Sequence, residues 1–276
     1  MSAGRLVVCA TPIGNLGDVS ERAREMLGGA DVIYAEDTRR TAKLLSHLGI
    51  SVPTRSLFAG NERSRTEELL TDVGNGLTVA LVSDAGMPTV SDPGAAAVRE
   101  ARRRGLDVVV VPGPSAVTTA VALAGFGGDR FVFEGFLPRK GDERQRRLDE
   151  IRDETRSVVL FASPRRLGSD LADIAALSGE REVAVIREMT KLHEEIWVGS
   201  AAGAAEHWMG AEVKGEVTLV LGPVEPPAGS VDEAIAAALA LIDAGESVSA
   251  AARRAASESG VSRRDVYQAL LDQGRS

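Results

Sequence analysis

Two short stretches combine acids and bases at spacings that could do chemistry. "AEDTRR" spans residues 35–40 and "REMTKLHEE" spans residues 187–195. A hydroxyl is a weak nucleophile, helped by a carboxylate that takes its proton or by a cation that lowers its pKa. Asp37, Arg39, Glu188, Lys191 and Glu194 are therefore candidate catalytic residues, and the sequence does not choose among them. Taken singly, each reads more readily as one half of a surface or domain-interface ion pair. Around them lie loops rich in Gly, Pro, Ser and Asp: "TPIGNLGD" (11–18), "SDAGMPTVSDPG" (83–94) and "PGPSAV" (112–117). Loops this poor in side chains let backbone approach a ligand closely. Within them, Asp84 could accept hydrogen bonds from a hydroxyl or an ammonium group.

Several familiar chemistries are excluded by spacing. There is no G-x-x-x-x-G-K-[ST] phosphate loop and no G-x-G-x-x-G fingerprint. "PGPSA" is not G-x-S-x-G, so Ser115 is a poor hydrolase nucleophile. His47, His193 and His207 show no ligand spacing, and a single cysteine rules out a multi-cysteine zinc site, so no metal is expected. Cys9 sits among Val7, Val8 and Ala10 and reads as core.

The elements that must position these loops follow from periodicity. Short β-branched runs at 6–10, 32–34, 78–82 and 108–111 alternate with helical patterns at 20–27, 38–48, 65–73 and 92–104. Ser20 is an expected N-cap, and "SDPG" places Asp92 at a cap with Pro93 at the first helical position. Continuous apolar strands separated by helices predict a parallel or mostly parallel sheet covered on both faces. Ligands bind at the carboxyl ends of such strands, where these three loops and "AEDTRR" lie. The second half has closer-spaced strand candidates, "RFVFEGFL", "SVVLFAS", "REVAVIRE", "HEEIWVGS" and "GEVTLVLG", with helices at 143–153 and 166–176. It reads as a second α/β domain with a more mixed sheet. The junction is placed in the glycine-rich "LAGFGGDR" (123–130) and a Pro/Gly linker in "GPVEPPAGS" (222–230). The expected domains are 1–122, 123–225 and 226–276. The last is helical throughout, and Ala256, Gly260 and Val266 have the spacing of a helix-turn-helix. Ser262 followed by Asp265 resembles a capping box. This tail carries seven acids against five arginines, so Arg253, Arg254, Arg263 and Arg264 read either as nucleic-acid contacts or as the solvated face of a packing module.

The net charge of −8 argues against nucleic-acid binding through bulk charge but permits a local basic surface. Arg39, Arg40 and Lys43 share one helix; Arg139, Lys140, Arg144, Arg146 and Arg147 form a second cluster, and Arg165 and Arg166 a third. All are candidate phosphate contacts. With no signal-like N-terminus and no apolar run near ~20 residues, the expected setting is cytoplasmic, without a membrane.

Seven ordered stretches, "ATPIGNLGD", "AEDTRRTAKLL", "VSDAGMPTVSDPG", "VPGPSAV", "FEGFLPRK", "REMTKLHEE" and "KGEVTLVLGP", resemble the ribosomal RNA small subunit methyltransferase I family, over residues 5–223. That family is a branch of the tetrapyrrole (corrin and porphyrin) methylases. The resemblance implies two α/β domains with S-adenosylmethionine in the cleft between them, plus a C-terminal helical extension. It implies methyl transfer to the ribose 2′-hydroxyl of a cytidine in 16S rRNA of the small ribosomal subunit, by a homodimer. Carried over residue by residue, the cofactor site comprises Pro12, Gly14, Asp84, Gly86, Met87, Ser115, Ala116, Ala162 and Glu216. Relatives commonly carry an acid where this chain has Ala162, which weakens the second-domain part of that set. A small-molecule tetrapyrrole methylase, with a ring-sized apolar pocket, and a non-catalytic RNA-binding module stay open as alternatives.

Overall fold

A computed structural model describes residues 4–224 and 230–273. The first sheet is built from β1 (Arg5–Cys9), β2 (Val32–Ala35), β3 (Thr54–Ser56), β4 (Thr78–Val82) and β5 (Asp107–Val111). Its order is β3-β2-β4-β1-β5, and every pairing is parallel. Alternation along β1 explains the layers: Val7 and Cys9 face one core, Leu6 and Val8 the other. Helices α1 (Glu21–Gly28) and α2 (Thr38–Leu48) cover the first face, and α3 (Glu62–Gly74) and α4 (Ala95–Arg103) the second. The parallel, doubly covered sheet is as the patterning predicts.

Helix α4 starts later than "SDPG" suggests. Its N-cap is Gly94, with φ 117°, and Asp92 and Pro93 remain in the loop. Ser91, at φ 63°, turns the chain before a cap can form, and the Gly94 N–H is satisfied instead by the Glu62 carboxylate at 2.9 Å. Ser20 caps α1 as expected, accepting from the Ala23 N–H.

The second sheet has the order β6-β7-β10-β8-β9, from β6 (Phe131–Phe136), β7 (Ser157–Ala162), β8 (Glu182–Arg187), β9 (Glu195–Ser200) and β10 (Val217–Leu221). Only β6 and β7 are parallel; the other pairs are antiparallel, so the sheet is mixed. Helices α6 (Asp142–Asp153), α7 (Leu167–Leu177) and α8 (Ala201–Trp208) bury one face. The opposite face receives α5 (Ala116–Ala124), through Val117, Ala120, Val121 and Ala124 against Val159, Ala184, Ile186 and Val220. The sequence reading had no helix here, because "AVTTAVALA" lacks a polar stripe. The 122/123 junction falls inside α5, whose packing joins it to the second sheet. Helix α8 and the three-residue β3 were also missed.

The C-terminal helices are α9 (Val231–Asp243), α10 (Val248–Ser259) and α11 (Arg263–Asp272), which pack on one another around Ala238, Ala252, Ala255, Val266 and Leu270. Gly260 ends α10 in the left-handed conformation at φ 64°. Ser262 caps α11 without a side-chain bond, so the Ser262–Asp265 capping box does not form. Aspartate is one methylene shorter than the usual partner. A complete box does occur at α9, between Ser230 and Glu233. The central residues of the Pro/Gly linker, 225–229, lie outside the described residues. No helix among the described residues is long and apolar enough to cross a membrane.

Candidate functional site: two clefts sharing a wall

The loops at the carboxyl ends of β1, β2, β4 and β5 meet the second sheet across a junction. Two of them are laced by backbone: the Thr11 and Gly86 peptides exchange N–H···O bonds of 2.9 and 3.0 Å. The Thr11 hydroxyl also donates to the Ser83 carbonyl at 3.2 Å. Asp84 ties in the β2 loop, accepting from the Asp37 N–H at 2.9 Å and from Arg40 at 3.2 Å. Across the junction, Gly14 lies against the 189–191 loop. A Cβ at Gly14 would sit 2.6 Å from both Lys191 Cγ and Thr190 Oγ1 and 2.7 Å from the Met189 carbonyl. Such distances are closer than real Cβ contacts, so glycine is what lets the two domains touch.

Two adjoining clefts result. The first is a partly open cavity of about 380 Å³ with mostly apolar walls. The first domain contributes Ile13, Ala85, Gly86, Met87 and Asp92, and the start of α5 contributes its N-cap Ser115 with Ala116 and Val117. The second domain contributes Phe136, Phe161, Ala162, Met189 and the strip 215–218. Phe161 stacks edge-on against Phe133 at 4.9 Å and packs beside Phe136 at 5.5 Å, which fixes that wall. Ser115 caps α5 without a side-chain bond, leaving first-turn N–H groups of that helix beside the cavity without that partner. The second cleft is a more open groove of about 340 Å³, lined by Thr11, Pro12, Gly14, Arg40, Lys43, Asp84 and Lys191. Ile13, Ala85 and Glu216 line both.

Of the nine cofactor positions carried over by resemblance, Gly86, Met87, Ser115, Ala116, Ala162 and Glu216 line the cavity. Pro12, Gly14 and Asp84 line the groove instead. Asp84 is spoken for by Asp37 and Arg40. Phe136, Phe161, Met189, Thr218 and Asp92 also line the cavity and were missed. Phe136, Phe161 and Thr218 sit on strands whose periodicity signals core, and only the fold shows that a cavity opens there. Asp92 is half-buried; burial pushes its carboxyl above the usual range, with Asp84 adding to it and a hydrogen bond from Ser83 opposing.

The catalytic candidates separate by geometry. Asp37 caps α2 and is clasped by Arg39, which donates from Nε and Nη2 at 3.1 and 2.8 Å. These bonds hold the Asp37 carboxyl well below its usual range. Glu194 accepts from the Thr190 N–H at 2.7 Å. Lys191 lies between two carboxylates, 2.7 Å from Glu188 and 3.0 Å from Glu216. Burial disfavours its ammonium, but the hydrogen bonds to Glu188 and Glu216 outweigh that and raise its pKa above the ordinary lysine value. Glu188 also accepts the Glu216 N–H at 2.9 Å, and its carboxyl is held low, chiefly by Lys191. Gly215 must be glycine for this: its φ is 88°, and a Cβ would fall 2.2 Å from the Glu188 carboxylate. Among the described residues, the only non-glycine positions with positive φ are Thr89, Ser91, Glu188 and Thr190, all beside the clefts. Backbone strain gathers at this junction.

The candidate phosphate contacts also divide. Arg40 and Lys43 line the groove, and Arg39 is exposed on the same helix. Arg139, Lys140, Arg146 and Arg165 are exposed on the second domain. Arg144 is withdrawn from this set: it is nearly buried and donates to Asp170, Asp173 and the Pro138 carbonyl. Arg166 likewise donates to the Leu137 and Pro138 carbonyls, and Arg147 pairs with Glu134. In the extension, Arg254 pairs with Glu246 and Glu258, and Arg263 donates to Ser249. Cys9 is buried, and burial pushes its thiol up to about 12. Among the described residues no group of three or more His, Cys, Asp or Glu side chains is arranged to hold a metal.

Comparison with known proteins is consistent along the whole chain. Residues 5–205 match the model of the Tetrapyrrole (Corrin/Porphyrin) Methylases, and residues 229–274 that of the RsmI C-terminal HTH domain. The Ribosomal RNA small subunit methyltransferase I of Thermotoga maritima is 48% identical over 80% of this chain and all of its own length. The protein of the same name from Mycobacterium bovis is 43% identical over all of this chain and 97% of its own. A cobalt precorrin-4 methyltransferase of cobalamin biosynthesis superposes with TM-score 0.62 at 17% identity, covering 79% of this chain and 94% of that one. A diphthine synthase superposes with the same TM-score and identity, covering 79% and 89%.

Proposed function

Since the chain belongs to the tetrapyrrole methylases, and within them to the ribosomal RNA small subunit methyltransferase I family, we propose that it transfers a methyl group from S-adenosylmethionine to the ribose 2′-oxygen of a cytidine in 16S rRNA. The observation that carries this reading is the pair of clefts with a common wall. A methyl transfer needs a dry place for the donor beside an accessible place for a large acceptor. The cavity has the size and apolar lining of a small-molecule site. The groove is open and carries Arg40 and Lys43, as a site for phosphodiester would.

The cavity residues fit S-adenosylmethionine. Phe161, Met87 and Met189 would enclose its apolar parts, and the first turn of α5 offers N–H groups to a carboxylate. When bound, the cofactor supplies an electrophilic methyl on a positively charged sulfur. The Gly- and Ala-rich walls exclude water and do not overstabilise that charge before it is lost. Alignment of the attacking oxygen can contribute roughly 7–11 kcal/mol. Arg40 and Lys43 hold the acceptor backbone. The resemblance also supports a homodimer working in the cytoplasm on the small ribosomal subunit.

The test is incubation of the protein with methyl-labelled S-adenosylmethionine and small subunits lacking the modification. Label on a cytidine 2′-oxygen after nuclease digestion is the expected result. No label on either naked rRNA or assembled subunits overturns the proposal.

A further inference from the structure

We infer that Glu216, held by Lys191, accepts the proton of the attacking ribose hydroxyl at the wall between cavity and groove. This rests on the function proposed above. Glu216 is the one ionisable residue, among the described residues, that lines both clefts, and its carboxylate lies 3.0 Å from Lys191 of the groove. A proton acceptor must reach the acceptor oxygen while that oxygen faces the methyl, so it must stand where the two spaces meet. The other acids near the junction do not. Asp92 lines only the cavity and Asp84 only the groove, where Asp37 N–H and Arg40 occupy it. Asp37 is bound to Arg39. Glu188 lines neither cleft and takes two hydrogen bonds on one oxygen, from Lys191 and from the Glu216 N–H.

The triad of two carboxylates and one ammonium suits the charge balance of the reaction. The ribose oxygen forms a bond to the methyl carbon, the carbon–sulfur bond breaks, and its electron pair stays on sulfur. The hydroxyl proton passes to Glu216, which becomes a neutral carboxylic acid and releases the proton to water through the open groove. One positive and one negative charge are thereby consumed together. A bare carboxylate beside the sulfonium would stabilise the reactants and slow the step. Lys191, 3.0 Å from Glu216, masks that charge beforehand, and Glu188 at 2.7 Å keeps Lys191 paired after Glu216 is protonated. Lys191 is thus a positioning residue, and Gly14 and Gly215 make the room it and Glu188 require.

The experiment compares single-turnover methyl transfer to small subunits with calorimetric affinity for S-adenosylhomocysteine in wild type, Glu216→Gln, Glu216→Asp and Lys191→Met. The expected result is a rate loss of about 10²-fold or more in Glu216→Gln, at the lower end of general-base effects. A proton acceptor that does not hold the donor predicts unchanged S-adenosylhomocysteine affinity and melting temperature, whereas the cofactor role that the resemblance gives Glu216 predicts a loss of affinity. Glu216→Asp restores part of the rate, and Lys191→Met loses rate without losing affinity. An unchanged rate in Glu216→Gln, or a rate loss that follows weakened S-adenosylhomocysteine binding, overturns the inference and leaves the proposed function standing. A wild type that methylates no ribose overturns both.

Discussion

The cavity and the groove share a wall yet are made in opposite ways. The cavity is shaped by backbone, small residues and a Phe pair, and the second sheet supplies half of it. Its geometry is inherited from two packed cores. The groove is lined by Arg40 and Lys43 of α2 and by Lys191, with Arg40 paired to Asp84 and Lys191 to Glu188 and Glu216. One cleft is pre-shaped for a single small ligand; the other keeps its cations near solvent, where they can exchange protein partners for phosphate. The difference shows that a cation's usefulness for binding depends on what already holds it, not on its place in a cluster.

The sharpest way to break this contrast is to treat all arginines alike. Arg144→Ala would remove the hydrogen-bonded partner of Asp170, buried at 2% side-chain exposure, and leave it only Arg166 at 3.9 Å. Breaking such a pair costs about 3–5 kcal/mol, so the melting temperature should drop by roughly 10 °C while the salt dependence of RNA binding is unchanged. Next comes the contact between the clefts. Gly14→Ala puts a Cβ against Lys191, Thr190 and Met189 and pushes the domains apart. A displacement near 1 Å at a reacting centre can cost about 10²-fold, so turnover should fall by that order in a steady-state assay with the fold intact by circular dichroism. Phe161→Ala opens the cavity wall, and affinity for S-adenosylmethionine by calorimetry should fall about tenfold, the equivalent of about 1.4 kcal/mol of lost apolar contact. Lys43→Ala should have the smallest effect, a few-fold loss in RNA affinity with the logarithmic salt slope reduced by about 1 and cofactor affinity unchanged. An unchanged salt slope would remove the groove from the RNA path.

Much of the fold was legible because period and punctuation agree. Four of the five first-domain strands and α2 lie within a residue of the patterning. Legibility failed where local preference and tertiary contact diverge. Asp92-Pro93 has good helix-start chemistry, but Ser91 turns the chain and Glu62, thirty-two residues from Gly94, supplies the cap. Helix α5 is apolar enough to pass for a strand or a link, and its identity comes from the sheet it covers. Arg144 and Arg166 looked free because their partners are distant in sequence: Asp170 and Asp173 stand 26 and 29 residues beyond Arg144. The Gly- and Ser-rich half of the cavity could be read from loop motifs. The half from Phe136, Phe161 and Thr218 could not, since strands lining a cavity carry the same alternation as strands facing a core.

Helix α5 has one more consequence. Because it packs on the second sheet while β5 pairs in the first, the chain passes from one body to the other in the few residues of "VPGPSA". That crossing holds two prolines and lies in the cavity wall, at Ser115. A rotation of one body against the other would pivot there. Atoms near a pivot move least, so the α5 end of the cavity would keep its shape while walls further from it shift more. Ligand entry and release would then be a matter of how far those walls shift, with the grip at the pivot left undisturbed.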